Sequence, residues 1–345
     1  MVELVQQAEL TALNSFSVVA HCKALTTLEH RHDFNSLIEL QPYRHGPVMM
    51  LGGGSNVLFT ADYPGLIVLN RIRGRQILDA TDKHAYVRLF AGENWHQAVM
   101  WSLAQDLYGL ENLALIPGLA GAAPIQNIGA YGVELADLID HVEVWDRSSN
   151  QARMLNTKAC KFSYRDSIFK QQPERYFVIQ ITLRLARKAR LKLNYPGIKA
   201  ELDRLAVNKP TAKDVCQAVI NLRTAKLPEP DVAGNAGSFF KNPLISNQLT
   251  ESLKSNWPDL PVFPDQSGMH KLSAAWLIEQ CGWKGYSQGD AAVSARHALV
   301  LVNRGQASGK EIMDLARTIQ QSVHDRFGLM LTPEPEIVGP SELNH

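Results

Sequence analysis

The chain has 345 residues, 45% hydrophobic and 20% charged, an ordinary globular composition with length enough for two or three sizeable cores. Lys+Arg 35 against Asp+Glu 34 gives a net charge of +1, so no broad basic surface for nucleic acid is expected. No stretch reaches the ~18 apolar residues a membrane span needs, and MVELVQQAEL carries acids where a signal peptide has an apolar core. Cys22, Cys160, Cys216 and Cys281 are far apart and form no CxxC. They are expected as reduced, buried thiols of a cytoplasmic protein. His30 and His32, with Arg31 between them, read as a solvated turn, and no zinc spacing is present, so no metal is expected.

Residues 14–50 are mixed and end in a short apolar strand, Pro47–Leu51. Gly52-Gly53-Gly54-Ser55-Asn56 follows, then a strand at Val57–Phe59. Three glycines in a row free the backbone to fold N–H groups around an anion, although a tight hairpin explains them equally well. No Lys-Ser/Thr follows, so this is not a P-loop, and no helix opens, so it is not a dinucleotide turn. Gly65–Leu69 is a buried strand. Arg71, Arg73 and Arg75 form a short charge run that could approach phosphate but reads first as a solvated connector. Tyr86–Ala91 is a strand, and Trp95, Val99, Leu103 and Leu107 mark one face of a helix that Gly109 is expected to end.

The stretch 115–132, LIPGLAGAAPIQNIGAYG, holds four glycines, two prolines and no charge. Neither a helical nor a strand period runs through it. Such a loop suits close backbone approach to a large, flat, partly apolar ligand with phosphate at its N–H groups. A buried Gly/Pro crossover is the competing reading. Beyond it, Val142–Trp145 and Met154-Leu155 are strands, and Tyr176–Leu185 alternates most clearly of all. Phe162–Phe169 sets Arg165 and Asp166 among aromatics and hydroxyls. Thr211 is the expected N-cap of a helix, and Pro228 and Pro230 end it and mark a hinge. GNAGSFFKNP (234–243) is a second small-residue loop. Lys271–Cys281 is amphipathic and closed by Gly282, Ala298–Val302 is a strand, and Ser308–Glu311 is a capping box for a helix ending at Phe327-Gly328.

GGGSNVLF (52–59), GENWHQAVMWSL (92–103), ENLALIPG (111–118), PIQNIGAYGVE (124–134), YRDSIFK (164–170), GNAGSFFKNP (234–243) and Pro333-Glu334 keep one family's order along most of the chain. In them the chain closely resembles the UDP-N-acetylenolpyruvoylglucosamine reductases, also called UDP-N-acetylmuramate dehydrogenases. The resemblance implies an α+β protein with a vanillyl-oxidase-type FAD-binding domain and a separate substrate-binding domain. It implies segments 1–73 (with 331–345 returning) and 74–225 for the flavin, and 226–330 for the UDP-sugar. It also implies non-covalent FAD, NADPH as hydride donor and a cytoplasmic protein, expected here as a monomer. The implied flavin-binding residues are Gly52, Gly53, Gly54, Ser55, Asn56, Pro117, Gly118, Gly121, Pro124, Ile125, Gln126, Asn127, Gly129, Ala130, Tyr131 and Gly132.

Arg165 matches the family's catalytic arginine, a fixed fork suited to a carboxylate gaining enolate character. An ion pair with Asp166 is its bland alternative. Glu334 matches the catalytic glutamate, with Glu336 as the rival register. Ser238 matches the proton donor. Tyr164, Tyr195, Lys226, Lys241, Asn242 and His297 match substrate-binding positions. Three departures stand out: Pro196-Gly197 stiffens the loop after Tyr195, His297 replaces a glutamine, and Ser17 replaces a glycine. The competing functions are an alcohol oxidase of the same flavin fold and a nucleotide-sugar-binding regulator without catalysis.

Overall fold

The computed structural model describes residues 2–229, 232–265 and 267–340. Pro230, one of the two expected hinge prolines, and 341–345 of the returning tail lie outside the described residues.

The chain forms two compact units where the sequence suggests three segments. Unit 1 holds residues up to Ala8, Cys22–Gly54 and Pro64–Thr224, and unit 2 holds Glu9–His21, Ser55–Tyr63 and the chain from Ala225 on. The cause is strand pairing. Val48–Leu51 runs parallel to Leu66–Leu69, whereas Val57–Phe59 runs parallel to Glu336–Val338. The first 73 residues are thereby shared between the two units. The same pairing excludes a hairpin at Gly52–Gly54, because its flanking strands belong to different sheets.

Unit 1 contains a four-stranded sheet in the order Leu4–Glu9, His21–Leu28, Tyr63–Asn70, Val48–Leu51. Its second sheet has five antiparallel strands in the order Gln151–Asn156, Ile139–Asp146, Tyr176–Ala186, His84–Phe90, Arg75–Ala80. Tyr176–Ala186 is central and serves two cores. Phe177 and Ile179 pack with Phe34, Val68 and Trp145. Val178, Ile181, Leu183 and Leu185 pack with Val99, Leu103, Cys216 and Val219 of the helices Trp95–Ala104 and Ala212–Lys226. Burial on both faces is why its apolar run is nearly continuous rather than alternating as expected. The first of those helices stops short of the expected Gly109. Its chain turns out at Asp106, φ +53, so Leu107 is buried beyond the helix rather than on its face.

In unit 2 the helix Gly309–Phe327 has the expected Ser308/Glu311 capping box and closes at Gly328, φ +68. The amphipathic stretch Lys271–Cys281 divides in two: His270–Leu272 is a strand, and Ser273 caps the helix Ala274–Gln280. Ala298–Val302 is also shifted, the strand being Leu301–Asn303. Cys22, Cys160 and Cys216 are buried and Cys281, expected buried, is half-buried; none is in a disulfide among the described residues, and burial pushes Cys160 up to about 12 and Cys216 up to about 11. Among the described residues, no helix is long and apolar enough to cross a membrane.

Candidate active site

In unit 1 the two glycine-rich loops lie directly against each other. A Cβ on Gly53 would stand 3.2 Å from Gly118 Cα, and one on Gly52 would stand 3.7 Å from Leu119 Cβ. The second loop is pinned from behind. Gly121 N donates to Ala91 O at 2.9 Å, Ala120 N to Glu93 O at 2.8 Å and Trp95 N to Gly118 O at 3.1 Å. A Cβ at Gly121 would overlap Ala91, so this close approach requires glycine. Arg71 is not a solvated connector. It is half-buried and its Nη1 donates to Gly52 O at 2.7 Å. Burial, then neighbouring Arg73, lowers its pKa. The backbone N–H groups of Gly53, Gly54 and Gly118 have no acceptor among the described residues. Two close-packed, charge-free loops with such donors fit a phosphate-bearing flavin nucleotide.

The loop ends in a two-residue turn. Gly129-Ala130 pairs with Val133-Glu134, and Tyr131 (φ +50) and Gly132 (φ +80) form the left-handed turn between them. Asn127 is buried and ties the loop together: its Nδ2 donates to Glu134 Oε2 at 2.9 Å and to Ser163 O at 3.1 Å. That last bond reaches the arginine-bearing segment. Ser163 and Asp166 exchange backbone hydrogen bonds at 3.1 and 3.2 Å, which puts Tyr164 and Arg165 at the tip of a tight turn. Arg165 has φ +55, its Nη2 donates to Gly129 O at 2.8 Å, and its guanidinium lies over the Tyr164 ring at 5.4 Å. Asp166 accepts from Ser167 N and Gln171 Nε2, both at 2.8 Å. Tyr195 packs edge-on to Tyr131, centroids 5.1 Å apart.

Three residues here escaped the sequence reading. Arg223, at the end of the helix Ala212–Lys226, donates from Nε to Leu115 O at 3.2 Å. Burial lowers its pKa first, and its charge is felt by Tyr131 and Arg165. His96 Nδ1 accepts from Leu115 N at 3.1 Å, and burial lowers its pKa, which suits an acceptor. Asn112 Nδ2 donates to Tyr131 O at 2.9 Å and Lys192 O at 3.0 Å. Leu115, with φ +57, is thus held at both its N–H and its carbonyl. The partners of all three are backbone groups distant in sequence, which carry no sequence signal. His96 and Asn112 stand inside the motifs GENWHQAVMWSL and ENLALIPG, and Arg223 stands in none.

Unit 2 carries the second small-residue loop. Gly234 packs so closely on Phe16 that a Cβ would overlap the Phe16 carbonyl, and Asn235 N donates to Ser15 O at 2.9 Å. Asn235 Oδ1 accepts from Gly237 N at 2.9 Å, which shapes the turn before Ser238. Glu334 N then donates to Phe239 O at 2.8 Å, and Lys241 N to Thr332 O at 2.9 Å. Ser238 and Glu334 are therefore one backbone hydrogen bond apart in register. Glu336 instead lies in the parallel strand beside Val57, exposed. Asn56, expected at the flavin, also bonds here, with Nδ2 donating to Glu334 O at 3.4 Å. Asn242 Oδ1 accepts from Ala274 N at 2.9 Å and so is committed to a helix start. His297 is brought near Lys226: burial lowers its pKa first, Lys226 next, and its Nδ1 accepts from Leu299 N at 3.3 Å. Among the described residues no cluster of three or more His, Cys, Asp or Glu is arranged to hold a metal ion.

The expected residues thus fall into two sets. Gly52–Gly54, 117–132, Tyr164, Arg165 and Tyr195 belong to unit 1, whereas Ser55, Asn56, Lys226, Ser238, Lys241, Asn242, His297 and Glu334 belong to unit 2.

A family profile described as FAD binding domain matches residues 23–154. Another, described as UDP-N-acetylenolpyruvoylglucosamine reductase, C-terminal domain, matches residues 229–338. The UDP-N-acetylenolpyruvoylglucosamine reductases of Xanthomonas euvesicatoria pv. vesicatoria (strain 85-10) and Xanthomonas oryzae pv. oryzae (strain PXO99A) are each 49% identical over 338 residues, covering 98% of this chain and 97% of theirs. The crystal structure of UDP-N-acetylenolpyruvylglucosamine reductase from Thermus caldophilus matches with TM-score 0.67 at 26% identity, covering 98% of this chain and 99% of its own. The chain belongs to the UDP-N-acetylenolpyruvoylglucosamine reductase family, and is a flavoprotein oxidoreductase of α+β fold with a vanillyl-oxidase-type FAD-binding domain.

Proposed function

We propose that this protein carries out the NADPH-driven reduction of UDP-N-acetylglucosamine enolpyruvate to UDP-N-acetylmuramate. It does so in peptidoglycan precursor synthesis, as a cytoplasmic monomer. FAD, held without a covalent bond, supplies the hydride chemistry when bound. Loops Gly52–Asn56 and 117–132 bind it, in a flavin domain built from segments 1–73 and 74–225. Segment 226–330 takes the UDP-sugar, with Lys226, Lys241, Asn242 and His297 as its polar contacts and Tyr164 and Tyr195 as aromatic ones. Asn242 has only its Nδ2 donor left for this, because Oδ1 is engaged by Ala274 N.

The substrate's double bond must gain a hydride at one carbon and a proton at the carbon that bears the ether oxygen. Between the two steps its carboxylate becomes an enolate. Arg165 stabilises that charge with a guanidinium held by Gly129 O and Tyr164. Glu334 stabilises the same charge as its second partner. Ser238 donates the proton. A serine hydroxyl is a weak acid, so it serves only where geometry is fixed and the enolate strongly basic.

The observation that carries this reading is the Glu334–Phe239 backbone hydrogen bond, which sets Ser238 and Glu334 in register on adjoining segments. Stopped-flow reoxidation of the reduced protein by the enolpyruvyl sugar tests it. Ser238→Ala should accept electrons from NADPH almost normally, and its reoxidation should slow by more than ~10²–10⁴. Arg165→Ala and Glu334→Gln should slow reoxidation by ~10²–10³. Reoxidation of Ser238→Ala within a few fold of wild type sinks the assignment, and a crippled Glu336→Gln beside a healthy Glu334→Gln sinks the register.

A further inference from the structure

The net charge of +1 conceals one strongly basic surface. From the end of the strand Tyr176–Ala186 toward Tyr195, five cations fall within nine residues: Arg184 in the strand, then Arg187, Lys188, Arg190 and Lys192, all exposed. Several other arginines of unit 1 meet acids. Arg31 pairs with Glu143, Arg153 and Arg175 with Asp146, and Arg204 with Glu201. None of the five has a carboxylate at ion-pair distance among the described residues.

The ridge is built rather than loose. Leu191 and Leu193 alternate with its cations and tuck against the main core of unit 1. Arg187 N donates to Lys83 O at 3.0 Å, and Ala186 exchanges backbone hydrogen bonds with Tyr108 at 2.8 and 2.9 Å. It also leads to the flavin loop. The buried Asn112 clamps Lys192 O and Tyr131 O with one amide, and three residues on Tyr195 crosses the Tyr131 ring.

We propose that this ridge is an electrostatic collecting surface for the phosphate-bearing small reactants, drawing them toward Tyr131. The proposal rests on the function given above, because both the nicotinamide donor and the UDP-sugar carry several phosphate charges. A surface of one sign raises encounter rates with oppositely charged ligands, by up to ~10–10³ in lined clefts, and loses the effect as salt shortens the screening length to ~3 Å at 1 M. The ridge is short: nine extended residues reach at most ~30 Å. No large apolar side chain is exposed between 184 and 194 to enter a bilayer, and no aromatic in that stretch offers a base a stacking face. These features favour a small polyanion over a membrane or a nucleic acid.

The test uses the FAD-loaded protein and the variant Arg187→Gln/Lys188→Gln/Arg190→Gln/Lys192→Gln. Its flavin spectrum should be unchanged. The second-order rate of flavin reduction by NADPH, and of reoxidation by the enolpyruvyl sugar, should each fall about tenfold at low ionic strength. Both should lose most of their salt dependence, so that wild type and variant converge near ~0.5 M salt. If the fourfold variant fails to hold FAD, Lys188→Glu/Arg190→Glu replaces it, with the same expectations. An unchanged rate or an unchanged salt slope in the variant overturns the proposal. So does salt-sensitive cosedimentation with phosphatidylglycerol vesicles that the variant loses while its rates stay wild type; that result would assign the ridge to a membrane. Failure of NADPH to reduce the flavin at any salt concentration would strike the proposed hydride donor instead, and reoxidation by the sugar would still read the ridge.

Discussion

Ser17 stands at φ +54, a conformation that costs an L-residue roughly 1–2 kcal/mol. The turn is nevertheless held: Ser17 N donates to Asn14 O at 3.0 Å, and Val18 N donates to Asn14 Oδ1 at 3.1 Å. It has to be held, because the Phe16 carbonyl inside it receives Asn303 Nδ2 at 3.0 Å and backs Gly234 of the Ser238 loop. Ser17→Gly should relieve the strain and, after the extra unfolded-state entropy of glycine, stabilise by about 0.5–1 kcal/mol. A lower urea midpoint for this variant would show that serine adds something the backbone account lacks. His297 makes a prediction of opposite kind. Burial first and Lys226 second lower its pKa, so the folded protein keeps it neutral where the unfolded chain takes up a proton, near pH 6.5. The folded state binds fewer protons in that window, so stability rises with pH through it. As pH falls below about 6.5 the group withdraws stability, fully so below its folded pKa. His297→Gln should therefore lose less of its urea midpoint than wild type between pH 7.5 and 5.5. Equal losses in both proteins would count against the half-buried, neutral ring.

At the scale of elements, the strands were legible where burial is simple. Tyr176–Ala186 lies between two cores and its apolar run is nearly unbroken, and Gly309–Phe327 announces both ends by a capping box and a left-handed glycine. Element ends were misread where a tertiary contact overrode the local signal. Periodicity carried the helix at Trp95 through Leu107, but the chain leaves it after Ala104 and buries Leu107 separately. The triglycine stretch was ambiguous for a like reason: nothing local reveals that its two flanking strands pair with Leu66–Leu69 and with Glu336–Val338. The motif residues of the site were legible as motifs, and their supports, Arg223, His96 and Asn112, were not. The start of the helix Trp95–Ala104 links these levels. Asn94 caps it by accepting from Gln97 N at 2.9 Å, and the next residue, Trp95, fixes Gly118 O. Asn94→Ala should cost about 1 kcal/mol of stability. Because the same turn anchors the loop proposed to bind FAD, FAD affinity should fall with it. Loss of stability with unchanged FAD affinity would uncouple the helix start from the loop.

At the scale of the whole molecule, the chain assigns its loops to two units that interleave in sequence. Segments 22–54 and 64–224 flank a stretch, 55–63, that belongs to the other unit. Neither unit is a continuous piece of chain, so truncation is a poor way to ask which one binds which reactant. Hydrogen exchange on the intact protein asks it directly. A ligand stabilises the state it binds by RT ln(1 + [L]/Kd), about 2.7 kcal/mol at a hundredfold excess over Kd. Local opening is suppressed most where the ligand touches. FAD added to the apoprotein should slow exchange at Gly53, Gly54 and Gly118, whose N–H groups have no protein acceptor among the described residues, and along 125–132. UDP-N-acetylmuramate added to the FAD-loaded protein should slow exchange along 237–242 and at 297–299 instead. The backbone groups that already bond within unit 2, such as Lys241 N to Thr332 O, should change least in the first titration. Protection of 237–242 by FAD alone, or of Gly53 and Gly118 by the nucleotide sugar alone, would overturn the division of labour proposed for the two units.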